Sequence, residues 1–208
     1  MRKIFLLSLM IVFVFASTTL YAAEKYSLGM GNIALKVDYI NFTEDAFENI
    51  EIEDGVYVGL EGYYAIYPNL YLGLEAGWAG PENDDDVRIN GEKVNVDLEV
   101  TYVPVELNLK YAFELAPNWV MDLGAGISYN YFQIELNRLD ADEDDWVLGG
   151  QVFADINYKL SNQWFIGING KYQFTDDLEL EFRDQDIKRT QDISADNWRV
   201  GAQVGLMF

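Results

Sequence analysis

From about residue 26 to its last residue the chain alternates apolar and polar positions with a period of two. The final stretch, "NWRVGAQVGLMF", is the clearest case. Trp198, Val200, Ala202, Val204, Leu206 and Phe208 are apolar, while Asn197, Arg199, Gly201, Gln203 and Gly205 are polar or lack a side chain. Such alternation marks a β-strand with two unlike faces. It predicts eight strands: Tyr26–Phe42, Ile50–Tyr67, Leu70–Ile89, Lys93–Leu115, Trp119–Leu136, Trp146–Leu160, Trp164–Arg183 and a last one that ends the chain. Three connections are short: Pro68-Asn69, Ala116-Pro117-Asn118 and Ser161-Asn162-Gln163. The others, carrying "NFTEDAFENIEIEDG", "PENDDDVRINGEKVN", "NRLDADEDD" and "RDQDIKRTQDISADN", are long and acidic. An up-and-down meander with short turns at one end and long loops at the other follows.

The phase of the pattern breaks twice. In strand one it is even at Tyr26, Leu28 and Met30, then odd from Ile33 to Tyr39, which predicts a bulge near Gly29–Gly31. In strand four it changes near Val103, beside Pro104; proline has no ladder donor, so a bulge is predicted there too. Strand pattern also runs into the loops. "LELEFR" keeps the phase of strand seven, and "VRINGEKVNV" reads as a hairpin around Asn90-Gly91. Strands three, four and seven are therefore predicted to rise past the barrel wall as a protruding sheet.

Alternation leaves open which face points inward, because a soluble lipocalin-like barrel also alternates. Composition decides the matter. Nine glycines lie on the polar face (Gly59, Gly73, Gly77, Gly124, Gly126, Gly149, Gly167, Gly201 and Gly205) and three on the apolar one (Gly62, Gly150 and Gly170). A solvated surface has no use for them, whereas the narrow interior of an eight-stranded barrel needs small residues. Aromatics cap the apolar face at both ends. Tyr111, Phe113, Trp119, Tyr158, Trp164 and Phe208 fall beside the short turns; Tyr39, Trp78, Tyr129, Trp146, Tyr172, Phe174 and Trp198 fall toward the long loops. From Trp198 to Phe208 a strand tilted by about 40° spans about 25 Å, the height of an outer-membrane apolar band. These are predicted aromatic girdles in lipid.

The net charge of −21 disfavours nucleic acid as a partner, because phosphate binding needs Lys and Arg. Yet the polar face is close to balanced. Asp38, Glu61, Glu75, Glu106, Asp122 and Asp155 stand against Lys36, Lys110, Lys159, Lys171 and Arg199. A confined interior requires such pairing, since unpaired charge in a low dielectric is costly. These eleven residues are predicted to form a structural charge network across the lumen, interlocked with Asn108, Gln151, Asn157, Asn169, Gln173 and Gln203. Eight strands leave an interior that side chains just fill, so any conductance is expected to be small or gated.

The first residues, "MRKIFLLSLMIVFVFASTTLYAAEK", combine a basic start, an apolar run and a small-residue exit. This predicts a secretory signal peptide over residues 1–22, cleaved after Ala22 and leaving 23–208 as one barrel domain; the alternative, an uncleaved membrane anchor, fits less well because the apolar run is short for a spanning helix. Removing Arg2 and Lys3 takes the charge from −21 to −23.

The segment count, the short turns, the acidic loops, the strand "YVPVELNLKY" and the terminal "VGLMF" together resemble the small eight-stranded bacterial outer-membrane barrels of the OmpX/OmpA type, with OmpW-like proteins as near relatives. The resemblance implies an all-β, antiparallel transmembrane barrel in the outer membrane. It implies lipid and lipopolysaccharide as surroundings, recognition of the Phe208 strand by the barrel-assembly machinery, a monomeric state and an adhesion-like surface role. No cofactor is expected. The outer-membrane enzymes of this kind resemble one another in using a histidine base, and this chain has neither His nor Cys. A Ser128–Lys110 pair and the carboxylate pairs Glu61/Glu75 and Glu106/Asp122 are the remaining catalytic candidates, and structural pairing suits each better. The acidic runs Asp84–Asp86 and Asp140–Asp145 match no EF-hand and are expected to bind divalent cations weakly. The leading expectation is a non-enzymatic barrel with a structural or surface-interaction role. A narrow channel is the alternative, and a histidine-free lipid-modifying enzyme stands third.

Overall fold

The computed structural model describes the backbone of residues 26–43, 54–80, 82–83, 86–89, 92–95, 98–136, 141–184 and 187–208, and the side chains of 26–43, 54–80, 100–133, 145–176 and 194–208. The predicted signal peptide, the Asn90-Gly91 turn, the side chains of Asp84–Asp86 and those of 140–144 lie outside the described residues.

Among the described residues thirteen strands follow one another: β1 (Gly31–Phe42), β2 (Asp54–Tyr67), β3 (Leu70–Ala79), β4 (Glu82–Asn83), β5 (Asp86–Ile89), β6 (Glu92–Asn95), β7 (Leu98–Ala116), β8 (Trp119–Leu136), β9 (Ala141–Lys159), β10 (Trp164–Thr175), β11 (Asp177–Asp184), β12 (Ile187–Ser194) and β13 (Asn197–Met207). Eight of them build the wall in the order β3-β2-β1-β13-β10-β9-β8-β7, and β7 pairs back onto β3. Every pairing is antiparallel, and the sheet closes on itself. Residues past the end of β13 complete the β1 seam: the Phe208 and Gly31 amides exchange hydrogen bonds with each other's carbonyls at 2.9 Å. Closure removes the open edges that hydrocarbon would not tolerate.

Along β1 burial alternates residue by residue. Ile33, Leu35, Val37 and Tyr39 point out, and Ala34, Lys36, Asp38 and Ile40 point in. The same polarity holds round the wall: Leu60, Leu74, Ile127, Leu148 and Ile168 are each at least 60% exposed, while Lys36, Glu75, Asp122 and Arg199 are at most 2% exposed. A continuous apolar exterior of this extent has no aqueous counterpart in a soluble monomer. The apolar side of the wall faces lipid.

Each short turn has its own local cause. Pro68-Asn69 and Pro117-Asn118 place a proline, whose fixed φ starts the turn, before an asparagine at φ of 61° and 69°. Asn tolerates that left-handed region better than other side chains. Ser161 shapes the third, its Oγ accepting the amides of Gln163 at 3.2 Å and Trp164 at 3.1 Å.

The structure departs from the sequence reading at four places. The first strand begins at Gly31, and the phase break before it is a turn at Ser27–Leu28, with Gly29 at φ 73°. Pro104 makes no bulge: the β7–β8 register runs unbroken from Leu98 to Glu114. The β3–β7 ladder instead lacks two rungs, those of Gly77 and Trp78 opposite Pro104 and Val103, and resumes in the same register at Ala79↔Tyr102. The change of pattern reflects Val100 and Tyr102 pointing into the lumen, where both are fully buried. Strand seven breaks at Asp176, and its continuation β11 folds onto β12 as a separate hairpin. The strands that rise past the girdle are β7, β8 and β9, of 19, 18 and 19 residues. Of predicted strand three past Ala79, the described residues place the fragment β4 against β7 and β5 in a separate hairpin. β5 and β6 pair from Asp86↔Asn95 to Ile89↔Glu92, around the predicted hairpin turn.

Candidate functional site: the barrel lumen

Inward-facing side chains stack in three layers. At the short-turn end, Leu28, Ala34, Tyr63, Tyr71, Ala112, Val120, Phe153, Phe165 and Met207 form one apolar cluster. At the loop end, Ile40, Phe42, Tyr57, Ala79, Tyr102, Phe132, Val147 and Ala195 form another. Charges and amides fill the space between.

The lower cluster contains a piece of chain that is not wall. The N-terminal turn folds back beneath the barrel and inserts Leu28, which is fully buried. The Ser27 amide donates to Asn69 Oδ1 at 2.8 Å, and the Leu28 amide to Tyr71 Oη at 3.1 Å. Tyr71 in turn donates to the Gly29 carbonyl at 2.9 Å. Gly29 is required here, because a Cβ would lie 2.9 Å from the Phe208 carbonyl oxygen as well as at a positive φ.

Aromatic rings reach the interior only because glycines face them. Tyr63 lies across the ladder from Gly73, Phe153 from Gly124 and Phe165 from Gly205. An added Cβ at those glycines would stand 2.2–2.3 Å from the ring. Each ring covers the bare backbone of the opposite strand, which stabilises a pairing that glycine alone would weaken.

The middle layer holds the predicted charges, with changes. Lys36 lies 3.4 Å from both Glu61 and Glu75. Lys171 binds Glu75 at 2.6 Å and also Glu106, which in turn meets the Arg199 guanidinium. Arg199 stands 3.6 Å from Glu75 and lies over the Tyr57 ring at 4.4 Å. Lys110 is 3.1 Å from Asp122, 3.6 Å from Glu61 and 4.0 Å from Asp155, and sits over the Tyr63 ring at 3.9 Å. Asp38 accepts the Asn169 amide at 3.0 Å. Lys159 does not join this layer. It pairs with Glu114 at 3.3 Å on the short-turn rim, where both are partly exposed. The amides knit the remainder: Gln151 Nε2 donates to Asn108 Oδ1, Gln203 Nε2 to Asn157 Oδ1 and Gln173 Nε2 to Ser128 Oγ, each at 2.7 Å.

The catalytic candidates are not assembled. Ser128 lies opposite Glu106 and accepts bonds from Asn130 and Gln173. Lys110 lies opposite Gly124, four residues further down β8, or about 13 Å along the strand. Glu61 and Glu75 are cross-strand neighbours, but Lys36 spans them. Glu106 and Asp122 are engaged by different cations.

On the outside, the predicted aromatics fall in two belts. Near the short turns Trp119 meets Tyr158 with ring centres 5.0 Å apart and Tyr111 meets Phe113 at 4.8 Å; Trp164 and Phe208 point outward. Toward the loops Tyr129 stacks on Trp146 at 4.6 Å and Tyr39 meets Trp198 at 5.3 Å. Trp78 and Tyr172 are exposed on the same belt and Phe174 is half-buried.

Sequence reasoning missed the two apolar caps of the lumen. It assigned inward positions by polarity, so Tyr57, Tyr63, Tyr102, Phe153 and Phe165 went unnoticed. The signal that marks three of them is an aromatic in the inward phase whose register partner is a glycine.

Comparison with known proteins agrees with this geometry. Residues 7–208 match the model of the outer membrane protein beta-barrel domain family. No curated protein sequence matches the chain. Among solved structures the fold is similar to that of Neisserial surface protein A, with 12% identity, 86% of this chain and 98% of that chain covered and a TM-score of 0.59. OprG from Pseudomonas aeruginosa gives 16% identity, 86% and 97% coverage and a TM-score of 0.60. Outer membrane protein W from E. coli gives 17%, 86%, 99% and 0.51. A closed eight-stranded wall with an apolar exterior, matched along nearly its whole length, places this chain in the outer membrane protein beta-barrel domain family, as an integral barrel of the bacterial outer membrane.

Proposed function

We propose that this barrel acts at the cell surface rather than as a conduit: a non-catalytic membrane protein whose lumen is a salt-bridged plug and whose working part is the sheet above the outer girdle. The observation that carries the reading is the filling of the lumen. Four buried cations are paired with the inward carboxylates, Lys36 and Lys110 on neighbouring strands and Lys171 and Arg199 across the lumen, and an apolar layer lies toward each end. Moving such a network aside would strand buried charges, at a cost of several kcal/mol for each pair broken.

The raised sheet supports the surface role. β8 and β9 remain paired as far as Leu136↔Ala141, whereas β10 leaves β9 at Thr175↔Gly149. Among the described residues, β9 from Ala141 to Val147 has no ladder partner on the side away from β8, although β11 passes close to it; its sequence is "ADEDDWV". Its carboxylates discourage self-pairing, and such an edge accepts an extended basic segment by strand addition. The two aromatic belts are read as interfacial anchors of the wall.

Single-channel recording on the purified barrel in planar bilayers tests the proposal. A silent barrel is expected. Steady conductance that responds to Arg199→Ala would overturn it in favour of a narrow channel.

A further inference from the structure

The buried charges of the lumen fall on two rungs that are differently served. Glu61, Glu75 and Glu106 are consecutive across the β2–β3 and β3–β7 ladders. Lys36, Lys171 and Arg199 reach them, three cations for three carboxylates. The second rung runs Asp38, Gly201, Asn169, Asp155, Asp122 around β1, β13, β10, β9 and β8. Among the described residues, Lys110 is the one cation within ion-pair distance of this arc, and its approach to Asp155 is 4.0 Å. Counted over the described lumen, six carboxylates face four cations, a surplus of two negative charges. Water can hydrate such a surplus but does not neutralise it, and burial makes it costly.

A second observation is independent of the acids. Asn169 and Gln203 are at least 95% buried, and their side-chain oxygens have no hydrogen-bond partner. Asn169 sits between Asp38 and Asp155 on the rung. Gln203 is linked to it through Asn157, whose amide donates to Asp122 Oδ2 at 3.1 Å. Asp122 Oδ1 and both oxygens of Asp155 are likewise orphaned. These atoms are acceptors; among the described residues the one donor beside them without a hydrogen-bond partner is Lys110 Nζ, a single cation for the three carboxylates of the arc.

We infer that the Asp38–Asn169–Asp155–Asp122 arc binds a hard cation taken from solution, with Asp155 as its principal ligand. Two sources share that chemistry. A divalent metal ion such as Ca²⁺ would cancel the surplus in one step, with oxygen donors of the type it prefers. Among the described residues no three carboxylates stand close enough to chelate it alone, so the Asn169 and Gln203 oxygens and water would complete its shell. A proton needs no such shell: held on Asp155, it turns that carboxyl into a donor on the same rung as the unpartnered Asn169 oxygen. Lys110 on β7 and Asp122 on β8 are the charged groups nearest Asp155 by contact and register; the other buried charges of the described lumen are Lys36 and Asp38 on β1, Glu61 on β2, Glu75 on β3, Glu106 on β7, Lys171 on β10 and Arg199 on β13. The site exists whether or not the lumen conducts.

Two readouts on the full barrel folded in detergent micelles at neutral pH test this. Infrared spectroscopy detects a protonated carboxyl by its carbonyl stretch and its shift in D₂O. Dialysis against radioactive Ca²⁺ after chelator treatment detects metal uptake. The wild type is expected to give one of the two signals, the infrared band or one Ca²⁺ bound tightly in excess of weak uptake by the acidic loops, abolished in Asp155→Asn and unchanged in the rim variant Glu114→Gln. The infrared band assigns a proton and the uptake assigns a metal. A wild type with neither signal overturns the inference, as does a signal that survives in Asp155→Asn. Folding of the variants is scored by heat-dependent gel mobility. If Asp155→Asn does not fold, Asp122→Asn takes its place, and a wild type silent in both readouts remains decisive.

Discussion

Glu106 lies directly across the β3–β7 ladder from Glu75, and the Lys171 ammonium engages both. Two like charges facing each other on adjacent strands destabilise a sheet unless something spans them. Lys171→Met should therefore cost about 3–5 kcal/mol, the range for leaving a buried charge uncompensated. Denaturant unfolding of the barrel in micelles measures this. Adding Glu106→Gln to the same chain should recover a large part of the loss, because it removes the stranded charge.

The facing of rings and glycines makes a second expectation. Gly124→Val would drive a side chain into the Phe153 ring, so it should destabilise by about 1–3 kcal/mol, the usual cost of overpacking. Phe153→Leu in the Gly124→Val background should restore stability, and the coupling in a double-mutant cycle should be positive. Additive effects would mean that the ring does not lie over the glycine.

Depth within the wall sets a third. Leu74 is exposed on the middle of β3, four residues from Trp78 in one belt and four from the first residue of β3 at the short turn. Leu74→Arg should cost about 2–4 kcal/mol, and Leu115→Arg beside the short turn about 0–1 kcal/mol, following the depth profile of lipid-facing substitutions. Folding equilibria in lipid vesicles provide the comparison. Equal tolerance at the two positions would argue that the exterior is not in hydrocarbon.

The N-terminal latch gives a fourth. Tyr71→Phe removes the acceptor for the Leu28 amide and the donor to Gly29 together. Stranding a buried amide costs about 1–3 kcal/mol. The wall should remain intact while residues 26–30 gain hydrogen exchange, a difference that amide exchange with mass spectrometry resolves.

The wall was legible in the sequence because its signal is one-dimensional. A lipid-facing strand must be apolar at every second position, and β8 accordingly spans Trp119–Leu136 in both readings. The charge network was half legible: inward phase identifies Lys36 or Glu75, but the pairing of Lys171 with Glu75, 96 residues away, depends on closure. Lys159 shares the phase of Asp155 and yet ends on the rim, since phase carries no information about depth. The lumen caps were illegible for the opposite reason. Tyr102 and Val100 are apolar in the inward phase, and a rule that equates polar with inside reads them as a defect in the strand. The break at Asp176 similarly follows from where the barrel ends, which no local pattern records.

The distances in sequence bridged by the lumen carry a kinetic consequence. Asn169 meets Asp38 across 131 residues and Arg199 meets Glu106 across 93. The β1–β2 and β7–β8 hairpins bring Lys36 to Glu61 and Lys110 to Asp122 by themselves, but Glu106 must wait for Lys171 and Arg199, and Asp38 for Asn169, until β10 and β13 arrive. Zipping of the final seam and completion of the charge network become a single late event. The barrel is then a slow, high-contact-order folder, vulnerable as long as that last step is pending.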